Sequence, residues 1–403
     1  MTRLDPFPQL STVDAGGLSH RRSNVKRNSQ DLAGHAGPMQ PVIHDQSSKL
    51  RKKSRGSLRL SRRTWVLPLL LMLTFITLYA INPSESNIFR HFLFLSYKLD
   101  DQDDQYGKGP WDFAILCSYT ILLTFARGFL MQEVLRPLGR LGGIKSRRKL
   151  SRFMEQMYTV YYMGFVGLLG LYTMKRTPGL WYFETRAMYE SYPHLSHDAV
   201  FKSYYLMQAA FSVQQALIML LGQEERRKDF QELVAHHAIA LALIWISYRY
   251  HFTYLGLAVF VSHDISDFCL AMSKSLNYLK HRAQIASFLL CIATWIYLRH
   301  YINLRILYSI ATEYATIGPF GVNPEAGEYK CRLSQTVTFA LLAMLQGLNL
   351  FWLYLLLRGA YRYFATGVAR DDRSEADESE GGPEPWVADE SQGGKEERKG
   401  VEV

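Results

Sequence analysis

The sequence has few of the features that stabilise secreted proteins. It contains four cysteines in 403 residues. Three of them lie in apolar segments and Cys331 stands alone in a polar one, which excludes a disulfide framework. No cleavable signal peptide is visible, because the first apolar run starts near Trp65, behind a basic tail of about 60 residues. We expect this run to act as a signal anchor.

Charged residues are also scarce. They make up 20% of the chain, against roughly 25% in a typical soluble protein, while hydrophobic residues make up 48% and aromatic residues 13%. From about residue 65 to 357, apolar runs recur that are long enough to cross a hydrocarbon core, which needs roughly 20 residues per helix. The composition therefore argues against several soluble domains and predicts an all-α polytopic membrane protein.

The apolar runs predict about eight transmembrane helices. The segment 87–97 is too short to cross and is expected to lie at the membrane interface or on the lumenal side. The predicted spans cover residues 65–82, 111–131, 153–174, 203–222, 233–251, 254–273, 284–302 and 334–357.

The net charge of +10 indicates topology rather than nucleic-acid binding. Lysine and arginine cluster before the first span and again in the loop 132–152, and cytosolic loops carry such an excess. We therefore expect both termini and this loop to be cytosolic, with binding of anionic lipids as a secondary possibility.

The two ends of the chain differ in composition from the middle. Residues 1–62 are basic and residues 363–403 acidic, and both are expected to be disordered cytosolic tails because they contain too little apolar surface to form a core. Ser374 precedes Glu375 and Asp377, a pattern typical of acidic-kinase sites. A solvated tail without regulation is the simpler interpretation.

A polar cluster is predicted deep within spans five and six. Span five opens with His236 and His237, and span six carries the sequence VSHDISD at 261–267. With the turn near Phe252 and a rise of 1.5 Å per residue, the histidine pair lies roughly 24 Å and Asp264 roughly 18 Å from the apex of this hairpin. His263, Asp264 and Asp267 share one broad helix face. These side chains are therefore expected to meet, toward the cytosolic leaflet.

Three interpretations of this cluster stay open from the residues alone. It could be a polar contact between packed helices, although three histidines and two aspartates exceed what such a contact needs. It could bind a metal, although the HxxxH and HxxHH boxes of membrane di-iron enzymes are missing and adjacent histidines point about 100° apart on a helix. It could perform acid–base or nucleophilic catalysis, since ionisable groups within membrane spans indicate functional sites.

Residues 236–279 resemble the signature of the ceramide synthases, the longevity-assurance branch of the TLC-domain family. The matching elements are the histidine pair, the SYRY sequence, HDISD and two later residues. Without the homeobox-like segment of many animal members, the chain is most similar to the fungal type. The resemblance covers about 146–362, which implies a TLC-like catalytic helical bundle there, preceded by two spans and a lumenal loop in 63–145. The positions that match are His236, His237, Ser247, Tyr248, Gly256, Asp264, Asp267, Lys274 and Tyr278.

This resemblance implies transfer of a fatty acyl group from acyl-CoA to the amine of a sphingoid base, sphinganine or phytosphingosine, at the endoplasmic reticulum membrane. The catalytic positions carried over are His236, His237, Asp264 and Asp267. His263, Ser247 and Tyr248 are expected to support them. No metal and no cofactor is expected, acyl-CoA being a co-substrate. A basic opening for its phosphates is expected at Arg226, Arg227, Lys228, Lys274, Lys280 and Arg282.

Two mechanisms and one other function class stay open. A histidine could take the acyl group, or it could only deprotonate the attacking amine, with an aspartate holding the imidazole or the ammonium. Other TLC-domain relatives resemble lipid-sensing or translocation-associated proteins without catalysis. The family resemblance also implies a small single-span accessory subunit or a homo- or heterodimer.

Overall fold

The computed structural model describes residues 63–100, 104–223 and 228–366. The predicted tail 1–62, Ser374 and most of the predicted tail 363–403 lie outside these residues. The last helix runs to Thr366, so the chain is still helical beyond the boundary predicted at 362.

The described chain is built mainly of helices. The elements are α1 (Val66–Ile81), α2 (Arg90–Leu93), α3 (Asp112–Leu141), α4 (Arg147–Arg176), α5 (Ala199–Leu220), α6 (Phe230–Arg249), α7 (Thr253–Tyr278), α8 (Gln284–Thr312) and α9 (Arg332–Thr366). Helix α3 contains a π-helical segment, Leu130–Leu135, and α8 contains another, Trp295–Ile302. A 3₁₀ turn covers Arg186–Met188.

Strands within the described ranges are two or three residues long. β1 (Gln105–Tyr106) pairs antiparallel with β2 (His197–Asp198), with Gln105 opposite Asp198. β3 (Gly321–Asn323) pairs antiparallel with β4 (Glu328–Lys330), with Gly321 opposite Lys330. Both pairs lie in the loops that connect the helices.

The all-α membrane architecture predicted from hydropathy is confirmed. Each predicted span coincides with or lies within one helix of the described chain, to within two residues at its ends. Helices α3, α6, α7, α8 and α9 are long and apolar enough to cross a membrane. Helix α1 is apolar but shorter. Helix α5 carries Gln208 and Gln214, which are buried among the other helices and lower its mean hydropathy. The number eight therefore stays a prediction.

Helices α6 and α7 form a tight hairpin, as predicted. Residues 250–252 connect them, and the Phe252 amide donates to the Ser247 carbonyl (2.8 Å). His251 takes a left-handed conformation, with φ 67°, which histidine adopts more readily than most residues. The two helices therefore lie side by side with opposite directions.

Three glycines on α4 bring it close to α7. A β-carbon at Gly164 would lie 3.2 Å from the Phe268 ring, and one at Gly170 would lie 2.8 Å from Val261 and 2.7 Å from the Tyr204 hydroxyl. Small residues repeated along one face let helix backbones approach closely in membranes. This contact fixes the face of α7 that carries Asp264.

Loops cover the end of the bundle where α6 turns into α7. We call residues 94–100, 104–110, 177–198 and 250–252 the cap. Lys202 is fully buried beneath it and pairs with Asp112 (2.6 Å). The Lys108 amine donates to the His194 carbonyl (2.8 Å) and lies 3.2 Å from His251 Nδ1. These bonds tie the loops to the helix ends and close the bundle on this side.

Candidate functional site

One elongated cavity of about 310 Å³ lies between six helices, α4 to α9. On α7 its lining positions recur every three or four residues from Leu255 to Lys274, a distance of roughly 28 Å along a helix. Near the cap its wall is mostly apolar, with Phe252 and Leu342, and polar groups gather farther along. The cavity therefore follows the hairpin for much of its length.

The predicted cluster lines this one cavity. The histidine pair enters it from α6, and three residues of VSHDISD enter it from α7. The cavity is lined by His236, His237, His263, Asp264 and Asp267. Their catalytic role stays a prediction.

Asp264 is the more buried of the two carboxylates, with 5% of its surface exposed. Its Oδ2 accepts a hydrogen bond from the Tyr204 hydroxyl (3.0 Å) and another from the Gln208 side-chain amide, both on α5. Gln208 also donates to the Tyr204 hydroxyl (3.0 Å). Buried carboxylates require such donors, so α5 fixes the position of Asp264.

Whereas Asp264 is bound by residues of α5, Asp267 is bound by a residue of α8. The Arg299 guanidinium on α8 forms an ion pair with its Oδ1 at 2.6 Å, and the Asp267 side chain keeps 33% of its surface exposed. Arg299 itself is buried, with 2% exposed. The two aspartates are therefore bound to different helices and differ in their access to the cavity.

His263 is fixed in one orientation. Its Nδ1 donates to the Val259 carbonyl (2.8 Å), because that oxygen can only accept. In the neutral ring Nε2 is then the acceptor, and it faces the Asn349 side-chain amide at 3.3 Å. A histidine held at both nitrogens supports the wall of the cavity, and its supporting role in catalysis stays a prediction.

The histidine pair makes ring contacts instead. The His236 ring packs edge-to-face on Trp352, with centroids 5.3 Å apart, and lies 5.6 Å from the His237 ring. His236 Nδ1 is buried and has no hydrogen-bond partner among the described residues. The His236 ring lines the cavity, but this nitrogen is not itself exposed there.

An aspartate that holds the imidazole is one of the two arrangements that the sequence leaves open, and no hydrogen bond between an imidazole and a carboxylate of this cluster is present among the described residues. The carboxylates bind Tyr204, Gln208 and Arg299 instead. Distances from the apex of the hairpin predict which residues of α6 and α7 lie at the same height in the membrane. They do not predict the hydrogen-bond donors that α5 and α8 supply. The aspartates therefore share the cavity with the histidines without orienting them directly.

The other two predicted supporting residues, Ser247 and Tyr248, lie in different places. Ser247 lines the cavity, and its hydroxyl hydrogen-bonds with the Tyr205 hydroxyl and donates to the Ile244 carbonyl (3.1 Å). Tyr248 does not line it: its hydroxyl donates to Asp112 Oδ2 (2.7 Å), and its ring lies 5.1 Å from the Lys108 amine. Adjacent residues on a helix point about 100° apart, so Tyr248 supports the base of the cap instead.

The basic opening for acyl-CoA stays a prediction, and one of its residues lies in the cavity wall. Lys274 lines the end of the cavity away from the cap. Lys228, Lys280 and Arg282 are exposed at the same ends of α6 and α7 and do not line it. Arg226 and Arg227 lie outside the described residues. Among the described residues of this set, Lys274 is therefore the one that lines the cavity.

The sequence interpretation missed Arg299. A single cation within the apolar run ATWIYLRHYI carries the same signal as VSHDISD, since charges inside a membrane span mark functional positions. Tyr204, Gln208 and Asn349 gave a weaker signal, because neutral polar residues are common where membrane helices pack. No group of three or more histidine, cysteine, aspartate or glutamate side chains in the described ranges is arranged to hold a metal ion.

Comparisons with known proteins agree with the resemblance in residues 236–279. The family model of the TLC domain matches residues 152–358. The sphingosine N-acyltransferase-like protein FUM17 of Gibberella moniliformis is 49% identical over 349 residues, covering 84% of this chain and 90% of that protein. The sphingosine N-acyltransferase lac1 of Schizosaccharomyces pombe is 40% identical over 380 residues, covering 93% and 94%.

A third relative extends the same pattern. The ceramide synthase LAG1 of Saccharomyces cerevisiae is 42% identical over 321 residues, covering 79% of this chain and 78% of that protein. The domain match spans more than half of the chain, and the similarity to these relatives extends over most of their length. The chain therefore belongs to the TLC-domain family.

Proposed function

We propose that this protein is a ceramide synthase, which transfers a fatty acyl group from acyl-CoA to the amine of a sphingoid base. The observation that carries the proposal is the single cavity in which two histidines and two carboxylates meet between six helices. Its volume of about 310 Å³ lies within the range of small-molecule sites, roughly 300–1,000 Å³. The names of the fungal relatives support the same reaction.

The proposed reaction joins a cationic amine to a thioester. The ammonium of the base gives one proton to an imidazole, and the free amine attacks the thioester carbonyl carbon. The carbon–sulfur bond then breaks, and the thiolate of CoA takes the proton from the imidazolium. The nitrogen loses a second proton to water, so the products are an amide, CoA and one proton. Histidine is suited to this exchange because it accepts and returns protons near neutral pH.

The contacts of the cavity support distinct parts for its residues. The His236 ring lines the cavity, and we assign to this imidazole the acceptance of a proton or an acyl group. His237 lines the cavity beside it. Asp264 and Asp267 supply negative charge for the ammonium. The proposal needs no metal and no cofactor beyond acyl-CoA, whose phosphates would lie near Lys274 at the opposite end of the cavity from the cap.

Lipid analysis of the purified, reconstituted protein tests this function. Given acyl-CoA donors of mixed chain length with sphinganine and phytosphingosine, the wild-type protein should form the corresponding ceramides. His237→Ala and Asp264→Asn should each lower the rate by roughly a hundredfold or more, as the loss of a proton-transfer group does. If the wild-type protein formed no ceramide, a non-catalytic lipid-binding role would replace the proposal. If both variants kept the wild-type rate, the assignment of His237 and Asp264 to the reaction would be wrong.

A second experiment separates the two histidine mechanisms. Incubation with acyl-CoA alone, followed by mass spectrometry of the intact protein, should reveal an acyl adduct if a histidine is the nucleophile. The adduct should disappear in only one of His236→Ala and His237→Ala. A single turnover without any adduct would exclude the covalent route and leave direct attack by the amine.

We place the protein in the endoplasmic reticulum membrane with both termini in the cytosol. The basic loop 132–152 supports this orientation through the positive-inside rule, and acyl-CoA would then reach Lys274 from the cytosol. A small single-span accessory subunit and a homo- or heterodimer belong to the proposal through the family resemblance. Co-purification from membranes in mild detergent tests both.

A further inference from the structure

Arg299 lies in the π-helical segment of α8 and is buried with 2% of its surface exposed. A cation in a membrane helix is costly unless it is paired, and π-helical segments often occur at functional sites. Arg299 also lines the cavity. Its position therefore calls for an explanation beyond helix packing.

The guanidinium of Arg299 is held by four polar partners. Nε donates to the Ser266 hydroxyl (2.6 Å), Nη1 to the Asn349 side-chain oxygen (3.1 Å) and Nη2 to the His263 carbonyl (3.3 Å). Nη2 also pairs with Asp267 Oδ1 at 2.6 Å. The Trp295 ring lies under the group, 4.1 Å from its central carbon. These partners on α7 and α9, together with the ring on α8, fix the plane of the guanidinium.

This arrangement leaves one oxygen of Asp267 available. Oδ1 is bound to Arg299, whereas Oδ2 has no hydrogen bond or ion pair within the described part of the chain. A third of the Asp267 side chain is exposed, and it lines the cavity. Asp264 differs in exposure, because only 5% of its surface is exposed and two donors on α5 already bond to its Oδ2. Of the two carboxylates, Asp267 therefore offers the larger exposed surface to a cation in the cavity.

We propose that Asp267 binds the ammonium of the sphingoid base and that Arg299 is the positioning residue that directs its free oxygen into the cavity. The inference rests on the proposed function, because it assigns one substrate of that reaction to one carboxylate. Asn349 links the same network to the His263 ring. Loss of Arg299 would therefore turn the Asp267 carboxylate away from the bound amine while leaving the acyl-CoA end of the cavity unchanged.

A binding experiment with two matched ligands tests the role of Asp267. The probes are octadecylamine, which is cationic, and octadecanol, which has the same chain without a charge. In wild-type protein the amine should bind about tenfold or more tightly than the alcohol, as a charge-assisted hydrogen bond provides. In Asp267→Asn the two affinities should become equal, with octadecanol binding as in wild type. A preference for the amine that persists in this variant would overturn the assignment.

Kinetics of Arg299 variants test its positioning role. Arg299→Gln should raise KM for sphinganine about tenfold, with KM for acyl-CoA unchanged. Arg299→Lys, which keeps the cation but cannot reach all four partners, should recover part of this loss. Arg305→Gln, a change on the same helix outside the cavity lining, is the matched control and should leave both KM values unchanged. Equal increases for both substrates, or no recovery by lysine, would show that Arg299 only supports the fold.

The two proposals can fail separately. If the wild-type protein formed no ceramide but preferred the amine over the alcohol, the ammonium site would stand and the proposed reaction would be wrong. If ceramide formed but Asp267→Asn kept the amine preference, the reaction would stand and the assignment of Asp267 would be wrong.

Discussion

At the scale of single residues, Asp264 and Asp267 show what a local pattern can and cannot predict. Their spacing places them on one face of α7, and the structure places both in one cavity. Their partners come from α5 and α8, far away in the sequence. A helix period contains no information on such contacts, because the packing of other helices decides them. The cluster could therefore be predicted, but not the bonds that hold each member.

Gln208 provides a test of the support given to Asp264. Gln208→Leu keeps a similar volume but removes a donor from a buried carboxylate, which should lower the free energy of unfolding by about 1–3 kcal/mol. Ceramide formation should fall with it, because Asp264 moves. Thermal unfolding and initial rates of the purified variant measure both effects.

Gln214→Leu is the matched control for that change. Gln214 is equally buried on α5 and bonds to the Tyr158 and Thr124 hydroxyls, outside the cavity lining. This variant should also lose stability but keep the wild-type rate per folded molecule. If Gln208→Leu behaved in the same way as Gln214→Leu, the bond between Gln208 and Asp264 would matter only for folding.

At the scale of helices, hydropathy predicts the position and length of each helix better than it predicts which helices pack against one another. All eight predicted spans overlap a helix of the described chain, and the hairpin of α6 and α7 follows from its short turn. The close approach of α4 to α7 did not follow, because glycine within an apolar run can serve several purposes. The contacts of Gly164 and Gly170 in the structure show that these glycines allow α7 to approach α4 closely.

Gly170→Ala tests whether this approach positions the site. The added β-carbon would lie 2.7 Å from the Tyr204 hydroxyl and 2.8 Å from Val261, and overpacking of this kind costs about 1–3 kcal/mol. Because Tyr204 donates to Asp264, the rate of ceramide formation should fall as well. Thermal unfolding and initial rates are the measurements.

Gly347→Ala on α9 provides the comparison. No atom outside its own helix turn lies within 4 Å of a β-carbon at Gly347, so this change should be neutral or should stabilise the helix by about 0.5–1 kcal/mol. The two substitutions are chemically identical. Equal effects on rate would mean that the close approach of α4 has no part in the site.

At the scale of the whole molecule, the cap joins loops that the sequence interpretation treated only as connections. Within it the His194 ring lies between two backbone carbonyls: Nδ1 is 3.1 Å from that of His251, and Nε2 is 3.0 Å from that of Glu190. A neutral ring donates to only one of them. Burial, with a smaller contribution from the nearby Lys108 amine, nevertheless lowers the pKa of His194 to about 4. The cap is therefore assembled around an uncharged histidine.

This burial predicts that acid loosens the cap. The pKa of His194 is about 4 in the folded protein and about 6.5 in an unfolded chain, so between these values the unfolded state binds more protons. Stability should then fall as the pH decreases from 6.5 to 4, by on the order of 3 kcal/mol for this one group. His251, whose pKa is also lowered to about 4 by burial, should add to the slope.

Unfolding temperatures measured across this pH range check the prediction, with His194→Gln removing one titrating ring from the cap. The variant should be less stable at pH 7, because glutamine replaces a buried ring that stacks on Tyr254, but its unfolding temperature should change less between pH 6.5 and 4. His281→Gln, at an exposed turn before α8, should keep the wild-type slope. An unchanged slope in His194→Gln would mean that groups outside the cap govern acid sensitivity. A reduced slope would show that the side predicted to be lumenal is held closed by a histidine that must stay neutral.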